Sequence, residues 1–166
     1  LLCGRGDVEA FGERVGRFFE RLNRMSERRW LRGLLKFVGR PELDRYYREY
    51  SETVKAALRE HAESGVDRLF HGAAAAIVVV SKTGATCPAE DALLATQNIL
   101  LAAHAMGLGT CLIGFAVAAM KQDPSIGRFL GIPEDETVHA VIALGHPDET
   151  WQRIDGRQTF AQRLSR

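Results

Sequence analysis

The sequence predicts an α/β (α+β) fold, a layered sheet flanked by helices, and three observations carry that reading. Residues 77–80 and 137–145 are dense in β-branched and apolar side chains over strand-like lengths. Between them, residues 88–106 form an Ala- and Leu-rich stretch of helical length. The resulting order of helix, strand, long helix, strand, helix and strand suits a sheet packed by helices. No internal repeat or low-complexity linker interrupts it, so the 166 residues are expected to form one domain, 1–166.

From Asp7 to Leu22 the apolar residues Val8, Phe11, Val15, Phe18, Phe19 and Leu22 recur at three- and four-residue steps. That spacing predicts an amphipathic helix, with Asp7 as its N-cap. Residues 30–38 form a second, apolar and basic segment ended by Gly39 and Pro41. A third helix is expected over 41–62, with Pro41 in its first turn and Tyr46, Tyr47, Tyr50, Val54 and Leu58 along it.

Gly72 to Ser81 changes character. Ile77 to Val80, bounded by Gly72 and Gly84, reads as a strand buried on both faces, although the preceding alanines also suit a helix. After a turn at 83–88, Pro88 stands at the first position of the long helix, which Gly107 and Gly109 end. That helix is apolar around nearly its whole circumference and is therefore expected to be buried on most sides. Residues 110–114 are expected to form a short strand turning at Gly114, and 117–130 a helical stretch broken at Asp123-Pro124. The last strand, 137–145, is stopped by Pro147 and followed by a polar tail with Trp151, Ile154, Phe160 and Leu164 as anchors.

Composition narrows the function. The 22 basic and 21 acidic residues leave a net charge of +1, so no overall field favours nucleic acid or an anionic membrane, and neither partner is expected. Locally, arginines are dense between 14 and 48, including Arg28, Arg29, Arg32 and Arg40. The ordinary reading is a solvated helical face, and the alternative is a phosphate- or partner-binding patch. Cys3, Cys87 and Cys111 are far apart and include no C-x-x-C pair, so no metal or dithiol site is expected and a reducing compartment is the simpler inference. The apolar runs fall far short of the roughly 20 residues that span a bilayer, and the start lacks the layout of a signal peptide. A cytoplasmic protein is expected.

Five histidines offer no pair at metal-ligand spacing, and no serine lies in a G-x-S-x-G context. His104 on the long helix reads as a hydrogen-bonded core residue. His146, before Pro147, reads as a turn residue or a pocket lining. Gly107-Leu108-Gly109 lacks the third glycine and the preceding strand of a dinucleotide fingerprint. No acid, base or nucleophile stands out, and no catalytic side chain is assigned.

Three segments in order, residues 91–114 (DALLATQNILLAAHAMGLGTCLIG), 130–135 (LGIPED) and 141–147 (VIALGHP), resemble the C-terminal half of nitroreductase-family proteins. The small residues Ala92, Ala95, Ala102, Ala103 and Ala105 allow close backbone approach at a helical interface, and the resemblance implies a homodimer centred on this helix. It also implies FMN as cofactor, NAD(P)H as electron donor and a small-molecule acceptor such as a nitroaromatic or a quinone. Hydride would pass through flavin N5, and the protein would supply orientation and electrostatics. By resemblance, Cys111, Leu112, Ile113 and Gly114 lie beside the flavin. Glycine there admits close approach of backbone to a flat ring; without the resemblance the same residues read as a strand ended by a turn glycine. Arg157, with Arg153 as reserve, matches the family's phosphate-binding position, and the guanidinium fork suits a phosphate.

The family's N-terminal Arg-Arg-Ser-like phosphate element and its Asn-Pro-Gln-Pro-like loop do not occur in the sequence, and Leu1 is not an initiator methionine. Those parts are expected to precede Leu1, together with any ferredoxin-like segment such as some relatives carry. Their absence leaves two rivals open: a specialised flavin enzyme such as a reductive dehalogenase, and a non-catalytic flavin-binding or interaction protein on the same fold.

Overall fold

The computed structural model describes residues 1–148. Its elements in chain order are β1 (Leu2–Cys3), α1 (Arg5–Ser26), α2 (Arg29–Phe37), α3 (Glu42–Glu49), α4 (Ser51–Ser64), β2 (Ala75–Lys82), α5 (Pro88–Ala105), β3 (Gly109–Leu112), α6 (Gly114–Gln122), α7 (Pro124–Phe129) and β4 (Glu136–Gly145). The strands form one antiparallel sheet in the order β1-β2-β4-β3.

The two runs of β-branched residues pair with each other at the centre of that sheet. Ile77 lies opposite Ile142 and Val78 opposite Val141, with a bulge between Val79 and Val80. Both faces are covered, as the unbroken apolar pattern requires. On one face Val8, Phe11, Val15 and Phe19 of α1, together with Ala116 and Met120 of α6 and Ile126 of α7, pack over Ala76, Val141 and Ala143. On the other, Ala92, Ile99 and Leu100 of α5 pack over Ile77, Val79, Ala140 and Ile142.

Local chemistry accounts for several boundaries. Pro88 begins α5 as expected, and Gly107, at φ 74°, ends it with a backbone conformation that a side chain would strain. Asp123 separates α6 from α7 by accepting the Ser125 N–H at 3.1 Å, and it also pairs with Arg21. The Ser125 hydrogen bonds, more than Arg21, hold its carboxyl below the usual range.

Other boundaries differ from expectation. The first helix starts at Arg5 with Gly4 as its N-cap, which puts Asp7 inside the first turn. Gly4 ends the β1 pairing, donating its N–H to Ala74 O at 3.2 Å, and this tertiary anchor sets the start of α1. The expected helix over 41–62 is two, broken at Tyr50 (φ −127°, ψ −26°). Ser51, fully buried, donates its hydroxyl to Tyr47 O at 2.6 Å across the break. Residues 110–114 are not one strand: β3 stops at Leu112, and Gly114 opens α6 instead of a turn.

The long helix is buried on one side only. Ala92, Thr96 and Ala103 face the sheet, whereas Leu93, Leu94, Leu101 and Met106 are exposed. His104 is exposed as well, so it is not a core histidine. Among the described residues no helix is long and apolar enough to cross a membrane.

Candidate functional site

The segment 109–115 is a corner built from main chain. Among the described residues β3 lies at the edge of the sheet and pairs with β4 alone: Cys111 lies opposite Ala143 and Leu112 opposite Ile142. The ladder continues one step further, with the Ile113 N–H donating to Val141 O at 2.8 Å. Ile113 is buried in the core and thereby pins the corner, while Thr110, Cys111 and Leu112 are exposed.

The chain turns straight from Ile113 into α6. Ile113 O accepts from Ala116 and Val117, which leaves the N–H groups of Gly114 and Phe115 at the helix start without intrahelical acceptors. They point along the positive end of the α6 dipole. Gly114 does not have positive φ, and a Cβ placed on it would meet nothing within 4 Å. Neither positive φ nor crowding within the described chain requires glycine here, and the space in front of its backbone is open.

Behind the corner stands an aromatic group of Phe19, Tyr46 and Tyr50, expected from the sequence only as residues along helices, and Phe115, to which no role was assigned. Phe115 meets Phe19 edge-on at 5.4 Å between ring centroids and Tyr50 at 5.9 Å, and Tyr46 lies 6.4 Å from Tyr50. Tyr46 donates its hydroxyl to Asn23 Oδ1 at 2.8 Å, and burial pushes its phenol up to about 12, partly offset by Lys55, so it stays neutral. Tyr50 and Phe115 remain partly exposed beside the open corner. Their signal was present in the Tyr46/Tyr50 spacing and in Phe115 directly after the glycine, but helix periodicity alone does not say which aromatic reaches a site.

Of the predicted site residues, the structure brings Cys111, Leu112, Ile113 and Gly114 together at this corner, with Ile113 able to offer only backbone. Arg153 and Arg157 lie outside the described residues. A groove of about 540 Å³ lies elsewhere, between α1, α4 and residues 65–73; it reaches Phe115 but none of residues 111–114. A flat ligand lying on an exposed edge is not enclosed by the chain that offers the edge, so this groove does not compete with the corner as a place for one. Among the described residues no three His, Cys, Asp or Glu side chains converge at metal-binding distance.

Fold and corner together define a layered α+β protein whose candidate site, among the described residues, is made of backbone groups, an open glycine and aromatic side chains. The nitroreductase family model matches residues 31–146, and the chain belongs to the nitroreductase family. Among curated relatives, a provisionally named NADH dehydrogenase/NAD(P)H nitroreductase of Archaeoglobus fulgidus is 34% identical over 87 residues, 49% of each chain. An NADPH-flavin oxidoreductase of Vibrio harveyi is 41% identical over 61 residues, 37% of this chain and 24% of its own. This chain thus spans about half or less of the curated relatives it matches. Among solved structures, a nitroreductase with bound FMN from Bacteroides fragilis superposes with a TM-score of 0.56 at 17% identity, covering 92% of this chain and 71% of the other, a likeness of fold.

Proposed function

We propose that this protein is an FMN-dependent oxidoreductase, working as a homodimer on a small acceptor such as a nitroaromatic or a quinone. The observation that carries the proposal is Gly114: just past the end of β3 it opens α6 with open space before it, and its N–H and that of Phe115 have no intrahelical acceptor and are placed to meet a ring acceptor. FMN, when bound, supplies the two-electron chemistry between NAD(P)H and the acceptor. The chain's own residues do the rest. The Gly114 and Phe115 N–H groups would orient the ring edge as hydrogen-bond donors. The exposed side chains of Cys111 and Leu112 would flank it, and the buried Ile113 holds the strand end in register. Arg157, or Arg153 in its place, would pair with the phosphate. The names of the relatives, a NAD(P)H nitroreductase and an NADPH-flavin oxidoreductase, support this assignment, as does the FMN in the Bacteroides fragilis structure.

Gly114→Val tests the corner. The branched side chain would enter the space assigned to the ring without requiring an unfavourable φ, so the flavin-free protein should melt within a few degrees of wild type, while FMN content falls to near zero. A variant that melts well below wild type without flavin, yet still binds FMN, would sink the reading. Arg157→Ala tests the phosphate contact. Loss of one charge-assisted hydrogen bond, about 1.5–3 kcal/mol, should weaken FMN binding roughly tenfold to a hundredfold, against little change for Arg163→Ala. Equal losses from both would remove Arg157 from the site.

A further inference from the structure

The second helix is mounted the wrong way round for a globular surface. In α2 no residue is fully buried, and Trp30, Leu34 and Phe37, spaced i, i+4 and i+7, form an outward stripe. Phe37 is 89% exposed and Trp30 66%, whereas the Arg32 side chain is only 13% exposed. That arginine anchors the helix: it donates to Ser26 O, pairs with Asp44 at 3.5 Å and lies over the Tyr47 ring at 3.7 Å. Arg32 is thus held inward beside the half-buried Leu31 and Leu35, while Trp30, Leu34 and Phe37 face out.

Within the segment that carries the stripe the charge is of one sign, with Glu27 and Glu42 just outside it. Residues 28–40 contain Arg28, Arg29, Arg32, Lys36 and Arg40 and no acidic residue. Apart from Arg32, none of these cations is in an ion pair among the described residues. On the helical wheel Arg29 and Lys36 flank the stripe on the side away from Leu31 and Leu35, which face the protein.

We propose that α2 seats this protein on an anionic lipid surface, lying in the plane of the headgroups. Nine residues make a helix of about 14 Å, too short to span a bilayer but suited to bury Trp30, Leu34 and Phe37 at the acyl boundary, while the flanking cations meet lipid phosphates. A second copy of the chain fits this face poorly, because pairing two of them would set like charges against each other. The net charge of only +1, which argued against a membrane partner, averages away the local cations beside this stripe.

The test is cosedimentation of the full chain with vesicles of phosphatidylcholine alone and of phosphatidylcholine mixed with phosphatidylglycerol, at low and high salt. Binding to the anionic vesicles only, weakened by salt, is the expected result. Arg29→Gln/Lys36→Gln should weaken it by roughly tenfold or more, and Trp30→Ser/Phe37→Ser should abolish it while the melting temperature holds. The readout does not depend on flavin. Failure to bind anionic vesicles at low salt, or equal binding to neutral ones, would overturn the proposal. So would a change of oligomeric state in Trp30→Ser/Phe37→Ser, which would assign the stripe to self-association.

Discussion

Helices α2 and α5 both leave large apolar side chains in solvent, but they do so on opposite principles. In α5 the inner face is apolar as well: Ala92, Ile99 and Leu100 pack on the sheet, and Leu93, Leu94 and Leu101 are what remains outside. Between residues 92 and 106 there is no Asp, Glu, Lys or Arg. In α2 the inner anchor is an arginine, and the outer stripe is bordered by cations. An uncharged outer face with alanines at 95, 102 and 105 admits the backbone of another helix at short range. A basic one is repelled by its own copy and attracted to phosphate. Exposure of hydrophobic residues thus identifies a surface that is to be covered, and the charge around it distinguishes what covers it.

The largest effect that separates the two faces of α5 should come from Leu100→Glu against Leu101→Glu. Leu100 packs against the cluster of Val79, Ala140 and Ile142, so a carboxylate there should cost about 2–4 kcal/mol of folding stability, read as a fall in the denaturant midpoint. Leu101, 57% exposed, should tolerate the charge in the folded chain but weaken dimer association by roughly 30-fold or more in analytical ultracentrifugation. If Leu101→Glu stays dimeric at concentrations where wild type does, α5 is not the dimer interface.

The corresponding contrast in α2 is smaller and inverted. Arg32→Met should cost about 1–3 kcal/mol, because Ser26 O and the Asp44 carboxylate lose their buried partner. Phe37→Ser, in contrast, should move stability by no more than about 0.5 kcal/mol, since its side chain is 89% exposed. Chemical denaturation of the two variants checks the order. A Phe37→Ser loss as large as that of Arg32→Met would mean that α2 is held by its apolar stripe and not by its arginine.

Much of the architecture could be read from local pattern. The β-branched runs are β2 and β4, the three- and four-residue steps from Val8 to Leu22 are α1, Pro88 and Gly107 bound α5, and Asp123-Pro124 separates α6 from α7. Each of these signals is a contrast between neighbouring residues, or a backbone restriction carried by one residue, so a short window of sequence contains it. The family resemblance of residues 91–114, 130–135 and 141–147 likewise rests on residue order alone, and the matching family model spans the first two segments and the third up to His146.

Tertiary structure decided what contrast could not encode. A helix apolar on every side has no periodicity to say which leucine faces the sheet, so only packing against β2 and β4 turned Leu100 inward and Leu101 and His104 outward. Gly4 caps α1 because β1 hydrogen-bonds to β2, and Gly114 opens a helix because the Ile113 N–H is drawn onto Val141; both depend on partners tens of residues away. The orientation of α2 follows from Arg32 meeting Asp44 and Tyr47 on the next helix. Periodicity marks that α2 has two faces, but burial of Arg32 depends on partners on another helix, which a local pattern does not contain.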